Sequence, residues 1–124
     1  MELNPETDLS IDVANLSSEF KVFPLKFYRY CLHKAKMELQ RDVAKAKLKE
    51  ARAVTYKRIK GDTTKKWTEN SMEAEIDTDP VVLAAQLTFM RAEHDAATWC
   101  GAVDSMKAKK DMLMQIGADA RKEK

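Results

Sequence analysis

"HKAKMELQRDVAKAKLKEARAVTYKRIKG", residues 33–61, carries neither glycine nor proline until it stops at Gly61. Its alanines, lysines, leucines and glutamates are good helix formers, so the stretch reads as one long helix closed by a glycine. Proline is tolerated in a first helical turn, which places the start of this helix near Pro24 and its end at about Lys60. Within it Tyr28, Leu32, Ala35, Leu39, Val43 and Ala46 recur at spacings of three and four, one face of a 3.6-residue period, and this face is expected to pack inward. On a second line, bracketed by Tyr30 and Tyr56, lie Lys34, Arg41, Lys45, Lys49 and Arg52; from Tyr30 to Tyr56 the line spans about 39 Å at ~1.5 Å per residue.

Outward from this stretch the same logic continues. "GDTT" at 61–64 breaks the helix, because Asp62, Thr63 and Thr64 bond their own backbone. A connector with Trp67, Met72 and Ile76 follows as a candidate short helix. "DTDPVVLAAQ", residues 77–86, is the clearest helix start, with Asp79 as cap and Pro80 at the first helical position. From there Val82, Ala85, Phe89, Ala92, Ala96, Trp99, Val103, Met106 and Leu113 follow a heptad seam in which Lys110 takes the position before Leu113. Leu83, Leu87, Met90, His94 and Ala97 form a second flank. Two apolar flanks on one helix call for more than one neighbour, so the nine seam residues are expected to hold a homo-oligomer. The ending from Gly117 reads as a frayed basic tail. The expected fold is all-α: an acidic leader over 1–23, then one helical domain over 24–124 with a long basic helix, a break at Gly61, a connector and a long heptad-patterned helix.

The net charge of +2 hides a segregated distribution. Residues 1–20 carry five acidic and no basic side chains, and residues 21–66 carry fifteen basic and four acidic. Residues 67–104 return to one basic and eight acidic. Such a basic block repels itself unless something anionic is nearby. Cations spaced along a helix neutralise phosphates and release counterions, and a tyrosine offers a base a stacking surface. Lys34, Arg41, Lys45, Lys49, Arg52, Lys57, Arg58 and Lys60, with Tyr56, are therefore the candidate DNA-binding residues. The plain alternative is a solvated face, or one that pairs with the acidic 67–104 segment of a neighbouring chain.

Catalytic patterns are missing. Gly61, Gly101 and Gly117 cannot space a phosphate-binding loop, no Gly-x-Ser-x-Gly occurs, and the surroundings of Glu93, His94, Asp95 and Cys100 lack the usual metal-ligand spacing. No cofactor is expected. Cys31 and Cys100 sit in no Cys-x-x-Cys pattern, no apolar run reaches the ~18 residues of a membrane span, and the start has no signal-peptide pattern. The chain reads as a soluble intracellular protein without a membrane partner.

Four stretches together resemble the UvsY-type recombination mediators of tailed phages. They are "IDVANLSSEF" (Ile11, Asp12, Leu16, Glu19), "ARAVTYKRIKG" (Ala51, Arg52, Tyr56, Gly61), "DTDPVVL" (Asp77, Asp79, Val82) and "CGAVDSMKAKK" (Cys100, Gly101, Ala102, Asp104, Lys107, Lys109), spread over most of residues 11–110. The resemblance implies a non-enzymatic helical protein that closes into a homo-oligomeric ring, a heptamer, through its C-terminal region. It implies binding of single-stranded DNA and loading of a phage recombinase onto strands covered by single-strand-binding protein, in the cytoplasm of the infected host cell. One departure stands out: the family's Lys-x-Arg pair before the aromatic is Glu50 and Arg52 here, with Lys49 as the substitute. The competing class is a non-catalytic adaptor or chaperone whose basic face meets an acidic protein partner. No RNA-recognition or helix-turn-helix signature supports an RNA or double-strand binder.

Overall fold

The computed structural model describes residues 2–122, which are helical with no strand among them. A single turn, α1 (Pro5–Asp8), and a 3-10 turn (Val13–Asn15) precede α2 (Leu16–Lys60); α3 (Glu69–Thr78) and α4 (Pro80–Lys122) follow. The all-α class and the order of long helix, break, connector and long helix are as the sequence predicts.

The ends of the elements have local causes. The Asp12 side chain accepts the Ala14 N–H at 3.1 Å, and Glu19 reaches back to accept the Asp12 N–H at 3.4 Å, so the chain is already coiling eight residues before the expected start. Pro24 consequently lies inside α2, on its exposed side. An interior proline costs about 3 kcal/mol; here the stacked rings of Phe23 and Phe27, 5.7 Å apart, anchor the turn around it. At the other end the Gly61 N–H donates to Lys57 O and the Asp62 N–H to Ile59 O, both at 3.0 Å. Gly61 closes the helix without a positive φ. The Asp62 carboxylate then accepts the Thr64 N–H at 2.9 Å, which turns the chain toward α3. Thr68 and Ser71 cap α3 reciprocally, and Asp79 caps α4 by accepting the Val81 and Val82 N–H groups at 2.9 and 3.3 Å.

The face of α2 that packs is opposite to the expected one. Tyr28, Leu32, Leu39 and Val43 are exposed, Leu39 to 63%. The buried positions are Phe23, Tyr30, Met37, Ala44, Thr55 and Ile59, with Phe27, Leu48 and Ala51 half-buried between them. These two lines differ by two residues, about 200° around the helix. Tyr30, placed by spacing on the basic line, is fully buried. The competing face wins because it carries three rings, Phe23, Phe27 and Tyr30, which bury more area than Tyr28 and the aliphatic residues opposite.

The chain divides into two compact units. The terminal unit contains residues up to Lys36 together with those from Ala96 on; the middle unit is Met37–Asp95. In the terminal unit Phe23 and Tyr30 of α2 form a core with Val103, Met106 and Leu113 of α4. In the middle unit Ile59, Ile76 and Val82 join α2, α3 and α4 over Trp67 and Met72. The expected boundary at residue 23 is absent, since the leader belongs to the terminal core: Leu3, Leu9, Ile11 and Leu16 pack on it.

A buried polar cluster fastens that leader. Asp8 accepts the Tyr30 hydroxyl at 2.7 Å and the Lys26 ammonium at 3.0 Å. Lys109 donates to the Asp8 carbonyl at 2.6 Å and pairs with Glu19 at 2.9 Å. Lys109, not Lys110, therefore occupies the inward position before Leu113, because only there does an ammonium find two acceptors. Burial works to raise the Asp8 pKa, but the hydrogen bonds from Tyr30, Lys26 and Asn4 outweigh it and hold the carboxyl below its ordinary 3.8. The bond from Lys109 likewise holds Glu19 below 4.5. Carboxylates with lowered pKa contribute stability above their ordinary values and lose it as pH falls through the folded ones. The urea midpoint is thus expected to hold steady near neutrality and to decline from about pH 5 downward. Asp8→Asn should flatten that decline.

The expected frayed tail is helical: α4 continues through Gly117 to Lys122, with Phe20 resting where a Cβ on Gly117 would come within 3.3 Å of its ring. Gly101, by contrast, has nothing described within 4 Å of such a Cβ. Gly101→Ala is expected to raise stability by about 1 kcal/mol in thermal unfolding, since a mid-helix glycine there has no packing role.

Candidate nucleic-acid interface

Beside the inward-facing Ala44, Leu48, Ala51, Thr55 and Ile59 of α2, the next residue along each turn lies at the margin of the helix contact and faces partly outward. That margin holds Lys45, Lys49, Arg52, Tyr56 and Lys60. Lys45, Lys49, Lys57 and Lys60 are exposed, as is Tyr56, whose ring lies 5.4 Å from the Lys60 ammonium. Long flexible ammoniums beside an accessible aromatic ring can grip phosphates and stack a base.

The three arginines of the set are differently placed. Arg41 bonds its neighbour Asp42 at 3.1 Å. Arg52 pairs with Asp77 of α3 and Arg58 with Asp79, each at 2.9 Å. The acidic segment after the break therefore answers the basic helix within one chain. The two pairs are unlike. Arg52–Asp77 is exposed on both sides, a pair worth about 0–1 kcal/mol and readily exchanged for another anion. Asp79 is largely covered and its second oxygen caps α4, so Arg58 serves the α3–α4 junction as much as the surface. Lys34 belongs to the terminal unit, is half-buried and already has an interaction partner, so eight of the nine candidates share the middle unit and Lys34 does not.

Sequence spacing passed over Lys47 of α2 and Lys65 and Lys66 of the break, all exposed. The Lys65 ammonium lies 5.5 Å from the Trp67 ring centroid. "KKW" was the available signal. Among these cations Asp62 stays an anion, its carboxyl held below the ordinary range by hydrogen bonds from the Thr64 hydroxyl and N–H.

The nine residues expected to hold an oligomer are turned into the chain instead. Val82, Ala96, Val103, Met106 and Leu113 are buried, and Ala85, Phe89, Ala92 and Trp99 half-buried. The reason is that α2 supplies a matching heptad line, on the face opposite to the one its spacing favours. Large apolar residues left outward in the middle unit include Leu39, Val43 and Val54 of α2 and Val81, Leu83, Leu87 and Met90 of α4. Among the described residues no group of His, Cys, Asp or Glu is arranged to hold a metal ion, and no helix is long and apolar enough to cross a membrane. Comparison of the chain with protein-family models, with curated proteins and with solved structures finds no match.

Proposed function

We propose that the protein binds single-stranded DNA without sequence preference and, with no catalytic step of its own, acts as a recombination mediator. In that role it loads a phage recombinase onto strands covered by single-strand-binding protein, in the cytoplasm of the infected cell. The observation that carries the reading is the line of exposed lysines, Lys45, Lys49, Lys57 and Lys60, beside the open ring of Tyr56 on one stretch of α2. The family resemblance supplies the biological setting. Self-association into a ring, a heptamer in the family, would draw on the outward Leu83, Leu87 and Met90 rather than on the seam.

Arg52 has a built-in competitor in this reading. Asp77→Asn removes the carboxylate that occupies it and is expected to tighten binding to an oligothymidylate up to about fivefold, the equivalent of an exposed ion pair. The measurement is fluorescence anisotropy in dilute buffer.

A second reading has its own observation. Leu39, Val43, Leu83, Leu87 and Met90 present an apolar surface that suits a protein partner, as an adaptor or chaperone would need. Titration with labelled oligothymidylate and, separately, with an acidic peptide of equal charge decides between the two. The mediator reading expects the strand to bind far more tightly; equal or tighter binding of the peptide favours the adaptor.

A further inference from the structure

In the terminal unit an open groove of about 490 Å³ runs along α2 and reaches Trp99 of α4. Its size falls in the range that accepts a nucleotide-sized ligand. Arg29, His33 and Lys36 line it at spacings of four and three, which puts all three on one side of α2. Leu32 lines it too, although half its surface is open to water. Glu2 is the one carboxylate in the lining, so the groove is net positive.

Two features set this groove apart from a solvated helix face. Neither Arg29 nor Lys36 forms an ion pair among the described residues, in contrast to Arg41, Arg52 and Arg58. The indole of Trp99 is also fixed in advance. Tyr30 packs on it with ring centroids 5.7 Å apart, and the His33 ring meets it edge-on at 4.2 Å. A ring already held loses little freedom when a ligand arrives, so contact with it yields more net affinity.

We propose that this groove is a second seat for single-stranded nucleic acid. It would take backbone phosphates between Arg29 and Lys36, with a base against Leu32 and Trp99. The two cations stand two helical turns apart, about 10 Å along the axis, room for a strand to pass between them. Arginine's planar fork suits a phosphate, and the apolar wall suits the face of any base, so the seat is non-specific. The proposal rests on the single-strand-binding reading above and names a site outside the residues which that reading uses.

The test follows tryptophan emission. The chain has two tryptophans, and Trp67→Phe leaves Trp99 as the reporter. Titrating that variant with oligothymidylate is expected to change Trp99 emission in step with the anisotropy of the labelled strand. Adding Arg29→Ala and Lys36→Ala should abolish the emission change and lower the salt slope of binding by about 1.4, two phosphates at ~0.7 each. Lys36→Ala alone, at an exposed position that the fold does not need, should remove about half of that slope change. Circular dichroism confirms that each variant is folded. Binding with Trp99 emission unchanged, or an emission change that survives Lys36→Ala at full affinity and unaltered slope, overturns the groove and leaves the lysine line standing. A strand that fails to bind even in dilute buffer overturns both.

Discussion

Tyr30→Ala is expected to cost the fold about 3–5 kcal/mol, the range for removing a fully buried aromatic ring. Tyr30 has no exposed surface, packs in the core with Met106, Val103 and Leu113, and donates its hydroxyl to Asp8 at 2.7 Å. Truncation opens a cavity and takes a donor from a largely buried carboxylate, a further penalty of about 1–3 kcal/mol. A domain with ~5–15 kcal/mol of stability would lose a large part of it. Tyr30→Phe separates the contributions, keeping the ring and losing only the hydrogen bond. Tyr28→Ala, two residues away, is expected to shift stability by no more than about 0.5 kcal/mol because Tyr28 is mostly exposed. Urea unfolding followed by circular dichroism reads all three. Equal costs at Tyr28 and Tyr30 would mean that α2 is rotated from the orientation described.

The second large effect concerns ligand binding. Replacing Lys45, Lys49, Lys57 and Lys60 together with alanine is expected to lower the slope of log affinity against log salt by about 3, four phosphates at ~0.7 each for a single strand. Because all four side chains are exposed and helical alanine is favourable, the variant should keep the helical content and melting behaviour of the parent. The loss should be uniform across oligonucleotide sequences, since phosphate contacts carry no base information. An unchanged slope in a folded variant would remove these lysines from the interface. The slope, rather than a single affinity, is the informative quantity, because it counts the charges that meet phosphate.

What was legible in the sequence was whatever local chemistry determines. The start of α4 rests on Asp79, which caps the helix, and on Pro80 at its first position, and it lies where the sequence places it. The break after Lys60 follows in the same way from Gly61 and Asp62, and α3 lies within the connector expected to hold a short helix, its start set by the Thr68–Ser71 pair. What was not legible depended on choosing between faces or on partners far along the chain. Helix α2 has two apolar lines, and the buried one is interrupted at Lys34, Arg41 and Thr55, so its neighbour with Leu32, Leu39 and Val43 looks the better core. Periodicity gives the angle between such lines and not which of them meets α4. Because the packing line of α2 is ambiguous in the sequence, the seam of α4 reads as lacking a neighbour within the chain and points to other copies.

The capture of candidate arginines was hidden for a related reason. Arg52 and Asp77 are 25 positions apart and Arg58 and Asp79 are 21, joined only once α3 turns back on α2. Lys109 meets the carbonyl of Asp8 across 101 positions, which is why an acidic leader read as a separate segment is part of a core. The groove at Trp99 belongs to the same class. Arg29, His33 and Lys36 are visible as a helical triplet, but only packing brings a tryptophan of the last helix beside them.

Contact between the lysines of α2 and the phosphates of a single strand can be read side chain by side chain through chemical footprinting. The protein is acetylated with and without saturating oligothymidylate, and the modification of each lysine is read by mass spectrometry. Lys45, Lys49, Lys57 and Lys60 are predicted to lose most of their reactivity in the complex, while exposed Lys21 and Lys107 keep theirs. A saturated complex in which those four lysines acetylate as fast as in the free protein would contradict the account.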